Sequence, residues 1–172
     1  MRLLVFVFMV ATAGIYLAMV VWSLPYVTAE AGGLMPFDLR PFGYSVQQAE
    51  AFHNALSDEG RLFYLNTQLL LDLFFPPMLA LCFILIAFVF WQNLARWVII
   101  ALALLTLTAD YTENVLLAQI LTHFDPDLVI EASFWTKLKS GSTTLTLGLI
   151  IVMLSVGIWR RKRAETRCYR RL

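Results

Sequence analysis

Thr106-Leu107-Thr108-Ala109-Asp110-Tyr111-Thr112-Glu113-Asn114 is the stretch whose reading decides the fold. It lies inside an apolar run, Arg96 to Leu121, that otherwise has the length and composition of a membrane span. An ionisable side chain at that depth costs about 2.5–3.5 kcal/mol on insertion scales, so Asp110 and Glu113 need partners or a wet cavity. At roughly 100° per residue, Thr106, Asp110, Glu113 and Asn114 fall on one face of a helix. That face calls for neighbouring helices that present polar groups to it.

The chain around it has the matching composition. Of 172 residues, 60% are hydrophobic and 15% charged, where a soluble domain has about 45–50% and 25%. One membrane domain follows. The net charge of +1 selects no charged partner. Cys82 and Cys168 sit at different depths, so neither a disulfide framework nor dithiol chemistry is expected.

Four spans are expected, at about 3–24, 66–91, 96–121 and 134–159. Leu3 to Leu24 has 22 uncharged residues, much longer than the ~7–15-residue core of a cleaved signal peptide, and reads as a retained span. Gly14 and Ala18 form a small-residue pair on it. Residues 25–65 form the one long connection, taken as an outer loop. Its first half is rich in Gly and Pro, and then Ser45-Val46-Gln47-Gln48 matches a capping box. A short amphipathic helix over Val46–Leu56 is predicted there, lying over the membrane surface. In the second span Arg61, Tyr64, Gln68 and Asp72 form a polar stripe that runs down to Pro76-Pro77. Prolines donate no backbone N–H, so the carbonyls of Asp72 and Leu73 lose their helical partners, and a kink is expected. On the fourth span Ser133, Lys137, Ser140, Gly141, Thr144 and Gly148 share a small, polar face.

Arg96 and the basic tail at 160–172 carry most of the cationic charge and belong on the cytoplasmic side. Both termini are then cytoplasmic, and the first loop is extracytoplasmic. A cell membrane is the expected location, the bacterial inner membrane foremost. The expected fold is an all-α, integral-membrane four-helix bundle with a capping outer loop. Asp72 is 19 residues from Trp91 and Glu113 is 17 from Arg96, which puts both roughly 25–29 Å above the inner boundary. Lys137 lies near the outer edge, within reach of that level.

The expected ligand-binding set is therefore Arg61, Tyr64, Gln68, Asp72, Asp110, Glu113, Asn114 and Lys137, with Asp72, Asp110 and Glu113 as candidates for acid–base catalysis. The blander reading makes the same charges a register device between helices. His53 and His123 lack metal-ligand spacing, and no serine elbow, phosphate loop or nucleotide fingerprint is present. No residue pattern names a cofactor. Basic tail residues suit anionic lipid head groups rather than nucleic acid. Two function classes remain. One is an accessory or assembly component, or ligand-binding component, with an outer-leaflet polar pocket. It would take a lipid or small polar ligand, or a membrane-protein partner on its small-residue faces. The other is a small membrane enzyme or proton-coupled carrier using the carboxylates. The topology is tested by cysteine labelling with an impermeant reagent in intact cells. A cysteine placed by Ser45→Cys is expected to react and Cys168 to stay protected; the reverse pattern inverts the site.

Overall fold

The computed structural model describes the backbone of residues 2–92 and 94–169, and the side chains of these except Arg2, Ile158 and 160–169. The expected basic tail falls outside the described side chains. Four helices are long and apolar enough to cross a membrane: α1 (Leu3–Glu30), α3 (Asp58–Phe90), α4 (Leu94–Thr122) and α5, whose apolar part is Pro126–Gly157 and whose helical backbone continues to Tyr169. The short helix α2 (Val46–Ala55) lies in the first loop. The fold is the all-α four-helix membrane bundle, with no strand among the described residues.

Three helices run beyond the expected span ends. α1 continues from Leu24 to Glu30, so the irregular part of the first connection begins near Ala31 rather than at Pro25. α3 starts at Asp58 because Ser57 Oγ accepts the Gly60 N–H and caps it. α5 starts at Pro126, where a proline costs no hydrogen bond. α2 begins in the capping box expected of it: Ser45 Oγ accepts from Gln48 N, and Gln48 Oε1 accepts from Ser45 N.

In space the helices follow the order α1, α3, α4, α5, each packed on the next. Among the described residues α1 and α5 have no comparable contact with each other, so a cleft runs between them. Two apolar clusters lie at different levels. One, at the loop end, joins Phe37, Tyr44 and Phe52 of the loop and α2 to Tyr64, Leu117, Ile120 and Leu121. The other, toward the termini, joins Phe83 and Ala87 of α3 to Ile99 and Ala103 of α4 and Ile150 of α5. Between these levels lie Gln68, Asp72, Thr106, Asp110 and Glu113, all buried.

The loop is fastened at two glycines. Gly43 has φ +79°, and a Cβ there would lie 2.5 Å from Ser133 Oγ. Only glycine lets the loop sit this close to α5, where Tyr44 N donates to Ser133 Oγ at 2.9 Å. At Gly60 a Cβ would meet Glu30 Cβ at 2.5 Å, so glycine brings the top of α1 against α3. Ser57 seals that corner by donating its hydroxyl to the Glu30 carboxylate and its N–H to the Glu30 carbonyl.

The helical backbone continues through Pro76 and Pro77. The two carbonyls they free are both taken up by α4. Tyr111 OH donates to Leu73 O at 2.9 Å, and Asn114 Nδ2 reaches Asp72 O at 3.4 Å. In a membrane this is what makes a proline pair tolerable. Tyr111→Phe is expected to cost about 1–3 kcal/mol, the cost of an orphaned carbonyl. Pro77→Ala restores the N–H that Leu73 O lacks, so the double variant is expected to recover most of that loss. Detergent melts of the four-member cycle check this, and additive changes would show the contact to be idle.

Candidate functional site

Lys139 is the cation of the polar layer. Its ammonium lies 2.5 Å from Glu113 Oε2 and 3.3 Å from Asp110 Oδ1. Glu113 is fully buried, and its other oxygen accepts from Thr136 Oγ1 at 2.6 Å. One turn further in, Thr106 and Ser142 hydroxyls pair at 2.8 Å. α4 and α5 are thus joined by a ladder of polar contacts, Glu113–Thr136, Asp110–Lys139 and Thr106–Ser142. The period is three to four residues on each helix, as facing helices require.

This replaces the expectation for Lys137. Two residues on a helix are about 200° apart, so Lys137 and Lys139 cannot serve the same face. Lys137 is exposed, and its stem lies beside Gly43 of the docked loop. The small-residue face fails with it: Gly141, Thr144 and Gly148 are exposed, and a Cβ at either glycine would meet nothing within 4 Å. The buried face of α5 is instead Val129, Ala132, Ser133, Thr136, Ser142, Thr146 and Ile150. Hydroxyl partners, rather than small size, chose it. Gly14 on α1 is likewise exposed with open space around it.

Arg61 also departs from its expected place. Its guanidinium donates to His53 Nε2 at 2.7 Å, to His53 O at 3.0 Å and to Leu121 O at 2.5 Å. It ties α2 to the top of α3 and the end of α4, and its hydrogen bonds go to none of the carboxylates. Burial and then the Arg61 charge hold the His53 imidazole below its ordinary pKa, which keeps Nε2 an acceptor.

The remaining expected residues do meet. Asp72 is buried, and Gln68 Nε2 lies 3.4 Å from its Oδ2, while Gln68 Oε1 accepts from Ser23 Oγ at 2.7 Å. Ser23 ends a π-turn in α1, Met19–Ser23, and Tyr64–Gln68 forms a π-turn in α3. In each, the N–H after the turn bonds five residues back, Leu24 to Met19 and Leu69 to Tyr64. The two wide turns face each other at this level. Such turns re-aim side chains and are frequent at functional sites. Asn114 lies beside Asp110, its Nδ2 at 3.5 Å from Oδ1.

Asp38, outside the residue set expected of the site, also enters it. It sits on a single 3₁₀ turn, Phe37–Leu39. Phe37 is buried between the rings of Tyr44 and Phe52, at 4.8 and 5.0 Å between centroids. That anchor drives Asp38 down into the bundle, where Tyr64 OH donates to its Oδ2 and its carboxyl meets that of Asp72. Phe37-Asp38-Leu39 between Pro36 and Pro41 was the available signal: an apolar-flanked acid in a stiff segment. Tyr44 is held nearby, and burial followed by the charge of Glu113 raises its phenol well above the ordinary range.

A pocket of about 300 Å³ opens among these groups, lined by Asp38, Asp72, Asp110 and Lys139 together with Ser140 and Thr143. Below it lies an apolar cavity of about 640 Å³ between α1, α3 and α5. Tyr16, Phe75 and Leu79 line both. Compared with known proteins, the chain matches no family model, no curated protein and no solved structure.

Lys139→Met leaves Asp110 and Glu113 without their cation, and about 3–5 kcal/mol of stability should be lost, as for other broken buried pairs. Lys137→Met should change little. Combining Lys139→Met with Asp110→Asn and Glu113→Gln removes the orphan charges and should recover much of the loss. Detergent melts of these variants decide it, and equal effects at Lys137 and Lys139 would refute the pairing.

Proposed function

We propose that this chain is a ligand-binding membrane protein that takes an amphipathic molecule from the bilayer. The observation that carries this is a pair of adjoining cavities. A polar chamber lined by three carboxylates and Lys139 shares Tyr16, Phe75 and Leu79 with an apolar chamber twice its size. Ligand sites of about 300–1,000 Å³ are mostly apolar, with a few polar groups to fix orientation. The apolar chamber spans Val5 to Tyr16 of α1, about 16 Å at helical rise, which suits an extended hydrocarbon chain. Because α1 and α5 leave the cleft open, a lipid tail can enter sideways without crossing water. The cationic bias of Arg96 and the tail supports the orientation with termini cytoplasmic and the polar chamber in the outer leaflet.

One observation favours a second reading, the acid–base enzyme or proton-coupled carrier. The carboxyl groups of Asp38, Asp72 and Asp110 line one pocket, and neighbouring carboxyl groups are what acid–base transfer to a bound ligand requires. The accessory-component reading retains the exposed glycines 14, 141 and 148 as places where another helix can approach.

Native mass spectrometry of the protein extracted in mild detergent tests the main reading. One amphipathic molecule per chain is expected, and Ala13→Trp, at the exposed mouth of the apolar chamber, should remove it while the melting temperature stays near that of the parent. Recovery of a stoichiometric protein partner with no small molecule would favour the accessory reading instead.

A further inference from the structure

We propose that the head group recognised in the polar chamber is a cation, and specifically a protonated amine, so that the preferred ligand is a long-chain amine or an amine-headed lipid. This rests on the amphiphile-binding reading above and adds the chemical class of its head group.

The charges of the chamber are unequal. Asp38, Asp72 and Asp110 line it against Lys139, which also pairs with Glu113. Of the other cations at this end of the bundle, Arg61 spends its donors on His53 and Leu121 O, Arg40 donates to Met35 O, and Lys137 is exposed. Lys139 is itself committed to Glu113 and Asp110. Asp38 and Asp72 are left facing each other with hydrogen bonds from neutral groups only, Tyr64 and Gln68. Three carboxyl groups against one ammonium leave the chamber acidic, in surroundings where unpaired charge is expensive.

Among the described residues four buried side-chain atoms lack a hydrogen-bond partner: Glu113 Oε2, which Lys139 pairs, Tyr44 OH, a hydroxyl able to donate or accept, and two acceptors. The acceptors are Asp38 Oδ1 and Asn114 Oδ1, and Asn114 lies against Asp72 and Asp110. Of the two, Asp38 lines the chamber, and a head group that completes its Oδ1 must donate. An ammonium brings three N–H donors and a positive charge, whereas a phosphate or carboxylate would set acceptors against acceptors. A metal cation is the other way to neutralise carboxylates. Among the described residues, however, no three His, Cys, Asp or Glu side chains are grouped to hold one. An ammonium needs no such convergence, because it accepts partners around it at hydrogen-bond distance. The hydrocarbon attached to it then lies along Phe75 and Leu79 into the lower chamber.

The test uses the full chain in nanodiscs and three probes with the same tail: dodecylamine, dodecanol and dodecanoate. Dodecylamine should bind about tenfold or more tightly than dodecanol, the increment expected of a charge-assisted hydrogen bond, and dodecanoate should bind weakest. Asp72→Asn and Asp38→Asn should each remove the preference for the amine. Retained dodecanol binding in these variants shows that the chamber is still folded. Ala13→Trp should weaken all three probes together. Equal affinities for the three, all lost in Ala13→Trp, would overturn the amine assignment and leave the amphiphile-binding reading standing. Tightest binding of dodecanoate would overturn it too, and make Lys139 the head-group determinant. If no probe binds and Ala13→Trp changes nothing, both readings fall.

Discussion

The contact on which the rest of the structure depends is the ammonium of Lys139 held between Glu113 and Asp110, at 2.5 and 3.3 Å, in the middle of a lipid-spanning bundle. Removing two charges from water costs several kcal/mol per ion, and mutual attraction returns this only when geometry and hydrogen bonding are good. Here Thr136 completes Glu113, and Asn114 stands beside Asp110. The pairing therefore fixes one rotation and one register of α5 on α4. A slip of a single turn would leave bare carboxylates in hydrocarbon. With Lys139 committed, no ion pair among the described residues reaches Asp38 of the loop or Asp72 of α3.

The backbone irregularities of the bundle collect close to that contact. Two π-turns, one in α1 and one in α3, face each other through Ser23 and Gln68. The proline pair follows within three turns, with its freed carbonyls met by Tyr111 and Asn114. Irregular backbone is tolerated at membrane depth only where protein or water satisfies it. In this fold α4 supplies the satisfying groups from the same helical turn that carries Asp110 and Glu113. The polar face of α4 thus serves α5 through its carboxylates and α3 through its neutral donors.

Loop and helix have different parts in the site. The helices set the depth of the acids, while the loop carries Asp38 in from outside, anchored by the stacked rings of Phe37, Tyr44, Phe52 and Tyr64. Arg61 and His53 fasten the lid to the bundle instead of charging the chamber. The apolar cavity between α1, α3 and α5 adjoins the chamber at Tyr16, Phe75 and Leu79.

By itself the sequence determined the four spans, the common level of Asp72, Asp110 and Glu113 along them, the capped α2 helix and the carbonyls freed by Pro76-Pro77. Each of these follows from local rules: length against bilayer thickness, a fixed rise per residue, hydroxyl capping and a missing N–H. Tertiary structure decided which lysine enters the bundle, because both lysines lie near the same depth and only packing tells their faces apart. Small-residue patterning pointed to the Lys137 face, but the hydroxyls of Thr136 and Ser142 had partners on α4 and prevailed. Tertiary structure also decided that Asp38 joins the site and Arg61 does not. Both outcomes depend on where a Gly- and Pro-containing loop folds back, and no local periodicity encodes that.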